Sequence, residues 1–363
     1  MTLILGIETS CDETAASVVK DGRVVLSNVV ASQHELHERY RGVVPEIASR
    51  AHLENILPVI QQSLHEAGIE LDNVDAIAVG NRPGLIGSLI VGVSAAKALA
   101  WSTGKPLIDI DHVQAHLYAA AVANIQDKND LPPAPEFPAI GLVVSGGHTT
   151  LYEMNSPLEI KAIGRTIDDA VGEAYDKAAV ILKLGYPGGP RIDKLASEGD
   201  PTAYELPRSM LKPGSLDFSF SGLKTALLYA VRGKPIGRGK SAVFERDAED
   251  LSNQEIANLA ASFQAAAIDA VIKKLKRTVN QMRKNDEQAS PKSLIIGGGV
   301  SANTHLRERA TDFAKRYQLK LHIPAFEYTQ DNAAMIAGLA DTHFKNGQFA
   351  DLSMPAIATS KNL

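Results

Sequence analysis

Ala139-Ile140-Gly141-Leu142-Val143-Val144-Ser145-Gly146-Gly147-His148-Thr149-Thr150 is the stretch on which the fold turns. Its first six residues are apolar and end on two β-branched side chains, so they read as a buried strand. A tip of small polar residues and glycines follows, and residues 151–154 read as the returning strand. The N-terminus has the same plan. Residues 3–7 form an apolar run, Glu8-Thr9-Ser10-Cys11-Asp12-Glu13-Thr14 a polar tip, and residues 15–19 a return, with 24–30 as a further strand beyond the Asp21-Gly22 turn. One plan used twice points to two lobes, each headed by a hairpin, as an internal duplication would leave them. Residues 127–138, polar and carrying Pro132, Pro133, Pro135 and Pro138, separate the two starts as a linker. The expected division is residues 1–137 as N-terminal lobe and 138–330 as C-terminal lobe. Residues 331–363 are then a returning helix and tail, packing at the interface or on the first lobe.

Strands and helices alternate around these hairpins, which makes the chain an α/β layered protein. Residues 33–65 read as helix, broken near Gly42-Val43-Val44-Pro45. Residues 74–79 are a strand, 85–101 a buried helix, 106–110 a short strand and 112–123 a helix. Gly87 and Gly92, with Ser88, Ser94 and Lys97, suit close packing of that buried helix better than a membrane span. In the second lobe residues 167–177 read as a helix with an acidic start, and residues 185–190 as a glycine-rich turn. Ser252-x-x-Glu255 is a capping box opening a long helix, and 294–296 is a strand running into Gly297-Gly298-Gly299. A net charge of −5 excludes a globally basic nucleic-acid binder, so any such contact must be local. The glycine-broken segment with Arg232, Lys234, Arg238 and Lys240 is either a solvated loop or such a contact. One cysteine, Cys11, excludes an intrachain disulfide and suits a reducing compartment. Without a histidine beside it in sequence, Cys11 reads as a packing residue rather than a nucleophile. The first residues lack a basic lead and a long apolar run, so no secretory signal is expected.

Three features carry chemistry. His112 and His116 stand four residues apart, so a helix stacks both imidazoles on one face with Asp111 in N-cap position. They are either a surface pair or two metal ligands that need a third. A zinc protease would place glutamate directly after the first histidine, and Val113 there cannot take a proton from water. Asp331 is either the N-cap of the helix at 333–340 or the distant third ligand. The hairpin tip with Asp12 and Glu13 is either a ligand-free polar turn or a holder of phosphate or metal–nucleotide oxygens. Glycine turns after three buried strands point to a nucleotide between two lobes.

Taken together the motifs resemble the tRNA N6-adenosine threonylcarbamoyltransferases, the TsaD/Gcp family once described as O-sialoglycoprotein endopeptidases. The resemblance runs from residue 6 to about 338. It rests on Gly-Ile-Glu-Thr-Ser-Cys-Asp-Glu-Thr at 6–14, Gly-Val-Val-Pro-Glu-Ile-Ala-Ser-Arg at 42–50 and Val-Ser-Gly-Gly-His-Thr at 144–149. Ile-Asp-Asp-Ala at 167–170, Tyr-Pro-Gly-Gly-Pro at 186–190, Asp-Phe-Ser-Phe-Ser-Gly-Leu-Lys-Thr at 217–225 and Gly-Gly-Val-Ser-Ala-Asn at 298–303 complete it. It implies an actin-like, sugar-kinase-like (ASKHA) fold with two lobes around a nucleotide cleft. It also implies His112, His116 and Asp331 as ligands of one divalent ion, Fe2+ first and Zn2+ second. Val143, Val144, Ser145, Gly146, Gly147, Asp176, Gly189 and Asn303 would surround threonylcarbamoyl-AMP. The threonylcarbamoyl group would pass to N6 of the adenine beside the anticodon, with Asp12 or Glu13 helping the attacking amine lose its proton. The resemblance further implies tRNA, a TsaB-like paralogous subunit and a TsaE-like ATPase as partners, with a homodimer as another assembly. A TsaC-type enzyme would supply the adenylate, all in the cytoplasm. The chain departs from the family pattern at Gln114, where glutamate is common, at Arg82, where glycine is common, and at Thr329-Gln330, where a cysteine commonly lies. Two other readings are an ATP phosphotransferase of the same fold, which would release ADP instead of AMP, and a non-catalytic nucleotide-binding scaffold.

Overall fold

Two five-stranded sheets of one strand order carry the chain. The computed structural model describes residues 1–40, 42–124, 131–208, 212–237, 243–285 and 290–359. In the first sheet β1 (Leu3–Glu8) pairs antiparallel with β2 (Glu13–Lys20), and β2 antiparallel with β3 (Val24–Ser32). On the other edge of β1 lie β4 (Ala76–Arg82) and then β5 (Leu107–Asp111), both parallel, giving the order β3-β2-β1-β4-β5. The second sheet repeats the plan. Here β6 (Ala139–Val144), β7 (Thr149–Met154) and β8 (Ile160–Arg165) form the antiparallel part. Next to β6 lie β9 (Ser293–Gly297) and β10 (Lys320–His322), both parallel. Replacing β1 by β6 and so on down the chain converts one order into the other. The repeated hairpin seen in the sequence is the visible part of a complete topological repeat.

Helices cover both faces of the first sheet, which is why every residue of β1 is buried. After the short α1 (His34–Glu38), α2 (Pro45–Ala67) and α3 (Ile86–Thr103) pack Ile56, Val59, Ile60, Val93 and Ala96 on Leu5, Ile7, Val18 and Val79. The opposite face carries Ile4, Val19 and Ile110, and it receives α4 (His112–Tyr118) and, from the far end of the chain, α10 (Ala333–Lys345). Gly6 lets α10 lie this close, since a Cβ there would stand 2.6 Å from the Ala333 carbonyl oxygen. In the second lobe α5 (Val171–Ile181), α6 (Gly188–Ala196), α7 (Ser221–Arg232) and α9 (Thr304–Tyr317) surround the long core helix α8 (Asn253–Asn285). Its Phe263 meets Tyr175 edge to face at 5.3 Å. Both α3 and α8 are long and apolar enough to cross a bilayer, and here both are laid against other elements of the fold.

Between the sheets sits α4. Val113 and Leu117 pack on Ala139, Val143 and Ile295 of the second sheet, while Ala115 and Ala119 pack toward the first. This helix ends at Tyr118 and passes into a tight 3-10 turn at Ala119–Ala121, short of the expected residue 123. The acidic helix expected from residue 167 begins only at Val171. Ahead of it, Asp168 accepts hydrogen bonds from the Phe220 and Ser221 N–H groups (2.8 and 3.3 Å) and from the Ser219 and Ser221 hydroxyls (2.5 and 2.7 Å). Those bonds hold the segment against the start of α7. Residues 127–130 of the expected linker, with Arg238 and Lys240 of the basic segment, lie outside the described residues.

Candidate active site

The two histidines come together because β5 runs directly into α4. Asp111 Oδ1 accepts from the N–H groups of Val113 and Gln114 (3.0 and 3.2 Å), which caps the helix and fixes where its first turn points. The imidazoles of His112 and His116 then stand 4.7 Å apart, nearly perpendicular, both buried. Asp331 arrives from the start of α10, 215 residues beyond His116 in sequence. It is not that helix's cap. Asn332 is, accepting from the Met335 N–H at 3.1 Å and donating to the Tyr328 and Gln330 carbonyls. Asp331 is thereby left to face the histidines, with Oδ1 3.1 Å from His116 Nε2 and 3.5 Å from His112 Nε2. Atoms offered by the three residues all lie within 4.8 Å of one another.

This constellation fits a divalent ion on its own geometry. Among the described residues neither ring nitrogen of His116 has a hydrogen-bond partner, although Asp331 is so near. The two groups are close but not aligned as donor and acceptor, which is how ligands of a shared ion sit. His112 Nδ1 is occupied on its other side by Glu8 Oε2 at 3.0 Å and Ser10 Oγ at 3.1 Å. A carboxylate that only accepts keeps a proton on Nδ1 and turns Nε2 toward Asp331, so that Nε2 is the nitrogen that would give up its proton to an ion. Burial opposes charge on His112, yet Glu8 and Asp331 hold its pKa up at about 9. Burial likewise opposes charge on Asp331, but His112 and His116 keep it far below the usual carboxylate range.

Both hairpin tips reach this point. From the first lobe, Asp12 and Glu13 are each only 7% exposed, and with His34 they form a second group whose ligating atoms lie within 4.8 Å. Burial, then Asp331 and Asp12, push the Glu13 carboxyl well above its ordinary range. Burial and the Asp12 charge also push the Cys11 thiol up, which rules it out as a ready thiolate and agrees with a packing role. From the second lobe, Val143 and Val144 are buried in β6, and Ser145 closes the turn by donating its N–H to the His148 carbonyl at 2.8 Å. Gly146 and Gly147 stand at the exposed tip, with no atom within 4 Å of where a Cβ would lie. Burial, with the nearby His112 and His116, lowers His148 to about 4, so this ring is neutral beside the pair. Gly297, at the end of β9, permits the contact between lobes, because a Cβ there would lie 2.1 Å from the His116 carbonyl oxygen.

The remaining expected residues line the second-lobe side. Asp176 accepts from the Gly188 N–H at 2.8 Å and so fixes the start of α6, where Gly189 stands. Asn303 caps α9 through the Leu306 N–H at 2.9 Å and donates to Gln264 at 2.8 Å, so its amide already has partners within the protein. Glu8 and Ser10, the groups that orient His112, went unnoticed as such in the sequence. They lie more than a hundred residues from it, and no local pattern connects them.

A model of the family described as TsaD, tRNA N6-adenosine threonylcarbamoyltransferase, matches residues 24–338. The chain belongs to this family. The enzyme of that name from Trichlorobacter lovleyi is 47% identical over 98% of this chain and 96% of its own length. That from Symbiobacterium thermophilum is 48% identical over 98% and 95%. In structure, T.kodakarensis HypF matches 96% of the chain and 48% of its own, with TM-score 0.56 and 15% identity. That likeness shows the actin-like, sugar-kinase-like fold alone. As a TsaD-family enzyme the chain modifies tRNA. Its departures from the family pattern are now explicable. Gln114 points away from the histidines and lines an apolar cavity of about 130 Å3 with Leu117, Tyr118 and Phe137. Arg82 pairs with Asp109 (2.9 Å) and approaches Asp111 (3.9 Å), so its charge is spent on β5 and the cap of α4. Thr329 donates to the Phe326 carbonyl at 2.8 Å, while Gln330 packs over Gly299.

Proposed function

We propose that the chain transfers the threonylcarbamoyl group from threonylcarbamoyl-AMP to N6 of the adenine 3′-adjacent to the anticodon, in tRNAs reading codons that begin with A. AMP is the released product. The observation that carries this reading is the meeting of His112, His116 and Asp331 where the two hairpin tips approach, in a chain of this family. Two imidazoles and a carboxylate suit Fe2+ or Zn2+. Bound there, such an ion supplies Lewis-acid polarisation of a carbonyl oxygen.

The chain's own residues supply the rest. Glu8 and Ser10 hold His112 in one orientation. Backbone N–H groups at Gly146 and Gly147 are free of side-chain bulk and suit the phosphate of the departing AMP. The adenine amine forms the new C–N bond as the carbonyl–phosphate C–O bond breaks, and its proton goes to Glu13 or Asp12. Glu13 is the stronger candidate, since burial, Asp331 and Asp12 raise its carboxyl well above the ordinary range and so strengthen it as a proton acceptor. Val143, Val144, Ser145, Asp176, Gly189 and Asn303 are assigned to holding the adenylate. A macromolecular substrate of this kind, with no basic global charge on the chain, fits the cytoplasm and help from partners. The proposed ones are a TsaB-like subunit and a TsaE-like ATPase. For the first, the outer sides of α2 and α3 offer exposed Leu53, Leu57, Ile86 and Ile90.

The test supplies threonylcarbamoyl-AMP labelled in the threonine, with tRNA and the partner subunits. Label on adenine with stoichiometric AMP supports the reading. Hydrolysis of ATP to ADP without label on tRNA sinks it.

A further inference from the structure

We infer that His52, in the middle of α2, is a positioning residue that sets the geometry of the Asp12–Glu13 pair; the inference rests on the role just proposed for those acids. The Gly-Val-Val-Pro-Glu-Ile-Ala-Ser-Arg motif leads into α2 but none of its residues reaches the ion-binding group. His52, two residues past it, is fully buried. Its Nε2 lies 3.0 Å from the Cys11 carbonyl oxygen, and its Nδ1 lies 2.7 Å from Thr14 Oγ1. A carbonyl oxygen only accepts, so Nε2 carries the hydrogen. The lone pair left on Nδ1 then accepts from the Thr14 hydroxyl. One imidazole thus grips the residue before Asp12 and the residue after Glu13.

The rest of the tip is held through backbone. Thr9 Oγ1 donates to the Ser88 carbonyl of α3 at 2.9 Å, Leu85 N–H donates to the Ser10 carbonyl at 2.8 Å, and Gln33 N–H donates to the Asp12 carbonyl at 3.1 Å. Those bonds place the tip above α3. With the pairing of Glu13 to Ser32 in the β2–β3 ladder they fix the backbone, and His52 adds the one side chain that bonds both residues flanking the acid pair. A rigid ring bonded on both flanks selects one orientation of the two carboxylates, and a reacting geometry is intolerant of shifts near an ångström.

Three variants separate the bonds: His52→Gln keeps an amide donor near the Nε2 position, His52→Asn keeps an acceptor near Nδ1, and His52→Ala keeps neither. Each is assayed with the partner subunits for kcat and for KM toward threonylcarbamoyl-AMP, alongside Co2+ affinity of the apoprotein and melting temperature. The expected result for His52→Ala is a fall in kcat of about a hundredfold, with KM and Co2+ affinity within about twofold of wild type. Partial recovery of kcat is expected in the Gln or Asn variant. Wild-type kcat in His52→Ala overturns the proposal. So does a joint loss of kcat, Co2+ affinity and melting temperature in all three variants, which would make His52 a folding residue. Asp12→Asn and Glu13→Gln run in parallel. If both transfer at the wild-type rate, the acids have no role and the proposal falls with them. If either is inactive while His52→Ala is unaffected, the positioning role alone is lost.

Discussion

At the scale of single residues, the proposed ion site would set a proton against a metal ion for His112. Glu8 and Asp331 raise the pKa of that imidazole to about 9, so an ion binding at Nε2 must displace a proton across the neutral range. Co2+ titrated into the apoprotein is therefore expected to bind more tightly as pH rises, levelling off near pH 9, with proton release detectable in weakly buffered solution. Glu8→Gln keeps the shape of the contact but removes its charge. Loss of this supporting carboxylate should weaken Co2+ binding by about 10–100-fold. Unchanged affinity in that variant would show that Glu8 does not orient the ligand. The sequence showed the two histidines at once, since helical spacing is a local property. It left Asp331 undecided between cap and ligand for an equally local reason: Asp331 and Asn332 are both good caps, and only the bond from Asn332 to the Met335 N–H separates them.

At the scale of elements, the strands that were legible were those with long apolar runs and a turn of recognisable chemistry. β1, β2, β3, β6 and β7 qualify, the β2–β3 hairpin helped by Asp21-Gly22 at positive φ, and β4, β5 and β9 were legible from their apolar runs alone. β8 is half-buried and carries Lys161 and Arg165, and β10 is three residues long, so neither has a periodicity to read. The late start of α5 was invisible because it depends on Asp168 reaching across to α7. Burial works against the charge on Asp168, but the Ser219 and Ser221 hydroxyls and the Phe220 and Ser221 N–H groups lower its pKa. A carboxylate lowered in the fold adds stability above its unfolded pKa and loses it as pH falls through the folded value. Asp168→Ala should therefore cost about 1 kcal/mol at neutral pH, a small figure because the group is largely exposed. That difference should shrink toward zero in acid when urea midpoints are compared. Gly297→Ala makes a sharper demand. Its new Cβ meets backbone rather than a flexible side chain, so β9 and α4 must part. A loss of roughly 1–3 kcal/mol, together with weakened Co2+ binding, is the expected outcome. Normal stability and affinity would show that the lobes separate there freely.

At the scale of the molecule, the repeat gives two sheets of one order, and the hairpins that head them supply opposite sides of the site. The duplication was readable; the closing of the first lobe by the far end of the chain was only an option in the sequence, because α10 and β1 meet across more than three hundred residues. The exposed leucines and isoleucines of α2 and α3 belong to this scale too. Leu57→Glu combined with Ile90→Glu should abolish co-purification of the proposed TsaB-like subunit, while the melting temperature stays near wild type because surface changes of this kind cost only about 0.5 kcal/mol. If the wild-type chain is instead a dimer that the double variant turns into monomer, the face belongs to a second copy.

The wedge position of α4 also governs how a bulky acceptor is admitted. Prising the jaws apart would strip Val113 and Leu117 from the second sheet and wet them, at roughly 1.5–3 kcal/mol for each side chain. On the proposed function, an anticodon loop that does not part the lobes would have to bring its nucleobase inward toward His112, His116 and Asp331.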